Sequence, residues 1–255
     1  MIYLKTAEDI KKLKEGGKLL AAILKKVAQA TKPGVSSAFL DQLAYKSILA
    51  VGGKPSFLNY RPEFSSKPYP ATLCVSINDV IVHGVPSPKV IIKEGDIVSL
   101  DIGMEYKGLD TDMAITIGIG KVEPKYRKLI QVTKEALAKG IKAAQPGNTL
   151  GDIGAAIQNY VESNGFAVVR DLGGHGVGYA VHEDPFVPNY GPPGRGPVLK
   201  AGMVLAIEPM FSAGSGAIYT KKDGWTIATR DGAFAAHYEN TILITKNGVE
   251  ILTEL

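Results

Sequence analysis

The 255-residue sequence predicts an α+β protein whose two halves repeat one plan. Helix-period and strand-like segments interleave along the chain, and the pattern restarts near residue 123 with the same turn signals. Composition supports a folded domain: 45% apolar, 21% charged and one cysteine exclude disordered, collagenous and disulfide-scaffold classes. A net charge of +4 is too small to argue for nucleic acid. No apolar run approaches the roughly 18–20 residues of a membrane span. The N-terminus lacks a signal-peptide core. Cys74 has no partner for an internal disulfide, so a cytoplasmic location is expected.

Each element follows from local chemistry. Thr6 with Asp9 three residues on forms a capping box, with Asp in place of Glu or Gln. Ile10, Leu13, Leu20, Leu24 and Val27 then recur at helical spacing up to Lys32-Pro33-Gly34. A second helix starts at Ser36 or Ser37 and runs to Val51-Gly52-Gly53. Strands are expected at 73–77, 97–105 and 113–119. Residues 124–144 read as helix, Gln145-Pro146-Gly147 breaks it, and a helix capped by Thr149 runs to Asn164-Gly165. Further strands are expected at 166–169, 203–207 and 240–245.

Aligning the halves makes the repeat explicit. Pro33-Gly34-Val35-Ser36 matches Pro146-Gly147-Asn148-Thr149, and Gly52 matches Gly165 in the same register. Lys93 to Asp101 matches Lys200 to Glu208, and Asp112 to Ile117 resembles Glu239 to Ile244. Each half therefore supplies two acids at strand-like positions, Asp101 with Asp112 and Glu208 with Glu239. The halves, about 1–122 and 123–255, are expected to form a single domain spanning 1–255.

The first pair can be placed geometrically. Lys107-Gly108 is a plausible two-residue hairpin turn between 97–106 and 109–118. Counting back sets Gly103 opposite Asp112 and Ala114 opposite Asp101, so both Asp side chains emerge on one face. They are diagonal neighbours, roughly 7–8 Å apart at Cα, with Gly103 leaving room between them. Carboxylates held there repel unless a cation lies between them.

A single Asp in this position would most simply be solvated or ion-paired. Two acids ending apolar strands in equivalent repeats favour a metal. His175 sits in Gly173-Gly174-His175-Gly176-Val177-Gly178, read as a glycine-rich loop that lets backbone approach a ligand. No phosphate-binding helix follows it, so this is not a dinucleotide fingerprint. Four carboxylates with one imidazole suit Mn, Fe(II), Co or Zn, and a cluster this acidic has room for two ions.

In that order the five residues resemble the ligand set of type I methionine aminopeptidases, of the creatinase or pita-bread fold. Supporting motifs are Ser76 to Pro86, Gly174 to Gly178, His182-Glu183-Asp184-Pro185, Ile207-Glu208-Pro209-Met210, Asp223-Gly224-Trp225-Thr226 and Tyr238-Glu239-Asn240-Thr241. The resemblance spans essentially the whole chain. It implies an antiparallel sheet flanked by helices, with pseudo-twofold halves and two divalent ions between them. Asp101 would bind one ion, His175 and Glu208 the other, and Asp112 with Glu239 would bridge both. A bridging water or hydroxide would attack the scissile carbonyl, with Glu208 as proton acceptor. His182 would stabilise the tetrahedral intermediate, and His83 would contact the substrate near the scissile amide. Tyr69, Cys74, His83 and Trp225, with Tyr60, would line the methionine slot. Cys74 is equally readable as a plain buried thiol.

The implied activity is removal of the initiator methionine from nascent polypeptides when the second residue is small, by a cytoplasmic monomer without membrane contact. Spacings of the ligands leave no room for the long helical insertion of type II enzymes. The chain starts at its first helix, so a zinc-binding extension and the large N-terminal domain of X-Pro-cleaving relatives are expected to be missing. Those relatives are one rival reading; a non-catalytic pita-bread protein binding RNA or protein is another, disfavoured because all five ligands with His83 and His182 are present. Lys11, Lys12, Lys14, Lys18, Lys25 and Lys26 read as a solvated helix face. Transient contact of that face with ribosomal RNA is the alternative, motivated by the substrate.

Three departures stand out. Where the family usually has Gln two residues before the last Glu and His just after it, this chain has His237 and Asn240. His237 reads as a neighbour supporting the ligands rather than a ligand itself, and such neighbours alter metal preference. The stretch 57–69 is longer than the family's usual loop and should shape the rim of the methionine pocket.

Overall fold

The first helix, α1 (Ala7–Ala30), begins where its capping signal lies. The Thr6 hydroxyl accepts from the Asp9 amide at 3.2 Å, and the Asp9 carboxylate accepts from the Thr6 amide at 3.0 Å. The computed structural model describes residues 1–62 and 67–255. Ser36 caps α2 (Ser37–Ala50), a proline opens α3 (Pro124–Ala143), and a Thr149–Asp152 capping box opens α4 (Leu150–Ser163). All four helices match the sequence expectation, because caps and 3.6-residue periodicity are local signals. Lys12 and Lys14 of α1 pair with Glu8 and Glu250, each at 2.8 Å.

The strands of the first half are β1 (Lys54–Pro55), β2 (Leu73–Ile77), β3 (Val80–Val82), β4 (Ile97–Tyr106) and β5 (Leu109–Gly118). Then follow β6 (Ala167–Val168), β7 (Gly173–Gly176), β8 (Glu183–Pro188), β9 (Val204–Ile207) and β10 (Met210–Ser212). The last are β11 (Ile218–Thr220), β12 (Ile227–Thr229), β13 (Ala235–His237), β14 (Glu239–Thr245) and β15 (Gly248–Ile251). An antiparallel nine-stranded sheet runs β1-β4-β5-β14-β9-β7-β8, with β2 on β4 and β15 on β14. Two three-stranded sheets, β13-β10-β6 and β11-β12-β3, complete the fold.

Repetition in sequence becomes repetition in backbone. Gly34 and Gly147 have φ of 87° and 91°, Gly52 and Gly165 76° and 82°, and Gly95 and Gly202 87° and 95°. Gly34 N–H donates to Ile92 O and Gly147 N–H to Leu199 O, both at 2.9 Å. Ser36 bridges Ile91 as Thr149 bridges Val198. These left-handed positions suit glycine, which is why the turn signals recur.

Side-chain alternation on the central strands separates core from site. Val98, Leu100, Ile102 and Met104 of β4 join Met113 and Ile115 of β5 in a core beneath α1 and α2. A second core joins α3 and α4 to Leu205 and Ile207 of β9 and to Ile242 and Ile244 of β14. The opposite face of β4 and β5 carries Asp101, Gly103, Asp112 and Ala114. Among the described residues, no helix is long and apolar enough to cross a membrane.

Candidate metal centre

The predicted hairpin register holds. Tyr106 faces Leu109, Gly103 faces Asp112, and Ala114 faces Asp101, around a Lys107-Gly108 turn with φ of 54° and 81°. The neighbouring strand extends the row, since Glu239 of β14 pairs with Ala114. Asn240 pairs with Ile207, which sets Glu239 across from Glu208 just past the end of β9. His175 of β7 pairs with Ala206. Five successive neighbours, β4-β5-β14-β9-β7, therefore deliver the acids and the imidazole to one face.

His175 lies on a strand, not on the loop expected from its glycines. Those glycines admit neighbouring backbone: a Cβ on Gly174 would lie 2.1 Å from Ala206 O, and one on Gly176 2.2 Å from Asp184 O. Gly174→Ala should therefore cost about 1–3 kcal/mol through overpacking, read as a lower Tm. An unchanged Tm would contradict this close approach. His175 Nδ1–H donates to the Gly176 carbonyl at 2.9 Å, which leaves the Nε2 lone pair facing the acids. Nε2 is 3.3 Å from Glu208 Oε1.

The acids are buried and only partly satisfied. Asp112 and Glu239 are each 2% exposed and Asp101 is 8% exposed. Asp101 Oδ1, Asp112 Oδ1 and Glu239 Oε1 have no hydrogen-bond partner. Desolvation, then repulsion among themselves, pushes Asp101, Asp112, Glu208 and Glu239 well above the usual carboxylate range. Buried polar atoms left unpaired are costly, and a cation between them removes that cost. Oxygen and imidazole donors in this arrangement fit divalent ions: Asp112, His175 and Glu239 present donor atoms within 4.8 Å of one another.

The acids form one wall of a cavity of about 260 Å³. Tyr60, Tyr69, Cys74, His83 and Trp225 line the same cavity. The Tyr69 ring meets Trp225 edge-on at 5.2 Å, and His83 meets Trp225 edge-on at 6.0 Å. Tyr69 is fixed by its hydroxyl, which donates to Gly84 O at 3.1 Å. Cys74 pairs with Asp101 across β2 and β4, and burial pushes its thiol up, so it faces the cavity neutral. His182 lies at the mouth, 4.3 Å from the His175 ring and 5.0 Å from Tyr60. Desolvation holds His83 and His175 down to about 4, so both are neutral near pH 7.

Sequence reading missed Leu172, Phe186 and Met210 in the cavity wall. Apolar side chains there carry no pattern separating them from core. The long 57–69 stretch contributes Phe57, Tyr60, Pro62 and Tyr69 to the wall, while its residues 63–66 lie outside the described residues. The two departures at the last acid separate. Asn240 turns away, its Nδ2 donating to Thr253 O at 2.6 Å. His237 turns in, its Nε2 3.3 Å from Glu208 Oε2.

A family model for metallopeptidase family M24 matches residues 11–246. The chain belongs to metallopeptidase family M24. Among curated M24 relatives, a methionine aminopeptidase of Aquifex aeolicus is 47% identical over 258 residues, covering 100% of this chain and 99% of the relative. Methionine aminopeptidase 1 of Bacillus subtilis is 45% identical, with full coverage of both chains. The crystal structure of a methionine aminopeptidase from Thermotoga maritima superposes with a TM-score of 0.96 at 46% identity, with both chains fully covered. The expected pita-bread architecture, an antiparallel sheet with flanking helices in two repeated halves, is thus the M24 fold.

Proposed function

We propose that the protein is a methionine aminopeptidase of the type I class, removing the initiator methionine of nascent chains in the cytoplasm when the second residue is small. The observation that supports the reading is the convergence of four carboxylates and an imidazole, with orphaned carboxylate oxygens, in one largely apolar cavity. Relatives at 45–47% identity bear that name.

Asp101, Asp112, His175, Glu208 and Glu239 would hold two divalent ions, drawn from Co, Mn, Fe(II) or Zn. Bound there, such ions supply Lewis acidity toward a carbonyl and lower the pKa of water. Glu208, at the end of β9 beside His175, accepts the proton of the attacking water. Its backbone is fixed because its carbonyl accepts from Asn189 Nδ2 at 2.9 Å. His182, at the mouth, donates to the oxygen on which negative charge develops, and His83, neutral on the wall, contacts the scissile amide. Tyr69, Cys74 and Trp225 receive the methionine side chain, whose thioether suits aromatic edges.

Ion uptake should release protons. Without an ion, the raised carboxyls retain protons that the unfolded chain would lose; a cation favours their charged forms and expels them. Affinity therefore falls as pH is lowered. Calorimetric titration near about pH 6 in two buffers of different ionisation enthalpy measures the effect, and identical heats in both buffers would contradict it.

The activity is tested with Met-Ala-Ser and Met-Pro-Ser, with Met-Leu-Ser and Ala-Pro-Ser as controls, after chelation and re-addition of each metal. Metal-dependent methionine release from the first two alone is expected. Cleavage of Ala-Pro-Ser alone would make the protein an X-Pro peptidase, and no turnover with any metal would defeat the enzymatic reading.

A further inference from the structure

We propose that His237 is a sixth metal donor, holding a divalent ion together with Glu208 and Glu239. The inference rests on the metal-centre reading above and extends its ligand set.

Register brings His237 to the site. On β14 and β9, Asn240 pairs with Ile207; on β13 and β10, His237 pairs with Met210. Both pairs belong to one continuous antiparallel count, bridged where Tyr238 N–H donates to Pro209 O at 3.3 Å. His237 therefore shares a face with Glu239 and lies diagonally across from Glu208. Thr116 fixes its backbone, accepting from His237 N–H at 2.9 Å and donating to His237 O at 2.7 Å.

The imidazole has no other employment. His237 is 1% exposed, and neither ring nitrogen has a hydrogen-bond partner. Nε2 lies 3.3 Å from Glu208 Oε2 and 4.0 Å from Glu239 Oε2 without the alignment of a hydrogen bond. Two donors in adjacent positions on one ion, with bonds of about 2.0–2.2 Å, stand about 3 Å apart. His175 Nε2 shows the same 3.3 Å spacing to the other oxygen of Glu208. Glu208 is thus flanked by an imidazole on each oxygen. Donor atoms of Glu208, His237 and Glu239 all fall within 4.8 Å of one another, as do those of Asp112, His175 and Glu239. Glu239 is common to both groups. Nitrogen-richer coordination suits Zn or Fe over Mn.

X-ray absorption at the zinc edge of the Zn-loaded full chain counts imidazoles per ion; multiplied by zinc per chain from elemental analysis, it counts histidine donors per chain. Two donors are expected in the wild type and one in His237→Gln. One donor in the wild type overturns the proposal even if the variant fails to fold, and an unchanged count of two in a folded His237→Gln overturns it equally. Loss of all zinc from the wild type on dialysis would instead overturn the metal-centre reading itself.

Discussion

Asp112→Asn should fold normally, lose its metal, and be at least as stable as the metal-free wild type. Asp112 is 2% exposed, with burial, Asp101 and Asp110 all opposing its charge. Asparagine keeps the shape and removes that opposition. The backbone ties persist: Asp112 N–H donates to Thr241 Oγ1 at 2.9 Å, and Asp112 O accepts from the same hydroxyl at 2.7 Å. An ion at about 1,000 times its Kd stabilises the folded chain by about 4 kcal/mol, or on the order of 10 °C in Tm at this size. That shift should appear in the wild type and vanish in Asp112→Asn, with turnover down by about 10³-fold or more. Melting curves with and without chelator measure it, and a retained metal-induced shift would remove Asp112 from the ligand set. Glu208→Gln should behave alike; if it still turns over when metal-loaded, Glu208 is not the proton acceptor.

His182→Ala should separate chemistry from metal binding. The ring lies 4.3 Å from His175 but belongs to neither donor group, so metal content should be unchanged. If the imidazole stabilises developing charge, kcat falls about 10²–10³-fold while KM for Met-Ala-Ser moves little. Loss confined to KM would place His182 in substrate binding alone. Loss of bound metal would make it a support of His175.

Legibility in the sequence tracked how local each cause is. Thr6 with Asp9, and Thr149 with Asp152, announce their helices because a cap is satisfied within three residues. The β4–β5 register was countable because Lys107-Gly108 sets the turn and strand side chains alternate. By contrast, β3, β10, β12 and β13 are three residues each and exist through partners far along the chain. His175 read as loop because glycines in β7 signal turns until Ala206 O and Asp184 O are seen pressed against them. His237 shares the parity of Glu239, yet only the pairing with Met210 shows that the register survives the break at Tyr238.

The helices, the central hairpin, the two repeated halves and the five proposed metal donors were all readable from the sequence. The helices and the hairpin follow from caps, turn residues and period-two alternation within about ten residues, whereas the acids emerge only from matching one half against the other and His175 from its glycine-rich motif. The strand order β4-β5-β14-β9-β7 that gathers those five on one face, and the aromatic and apolar side chains that share their cavity, emerge only in the folded chain. Tertiary structure alone turned His237 inward and Asn240 outward. Such outcomes depend on which distant strands pair and on what each side chain then meets, and no local pattern encodes either.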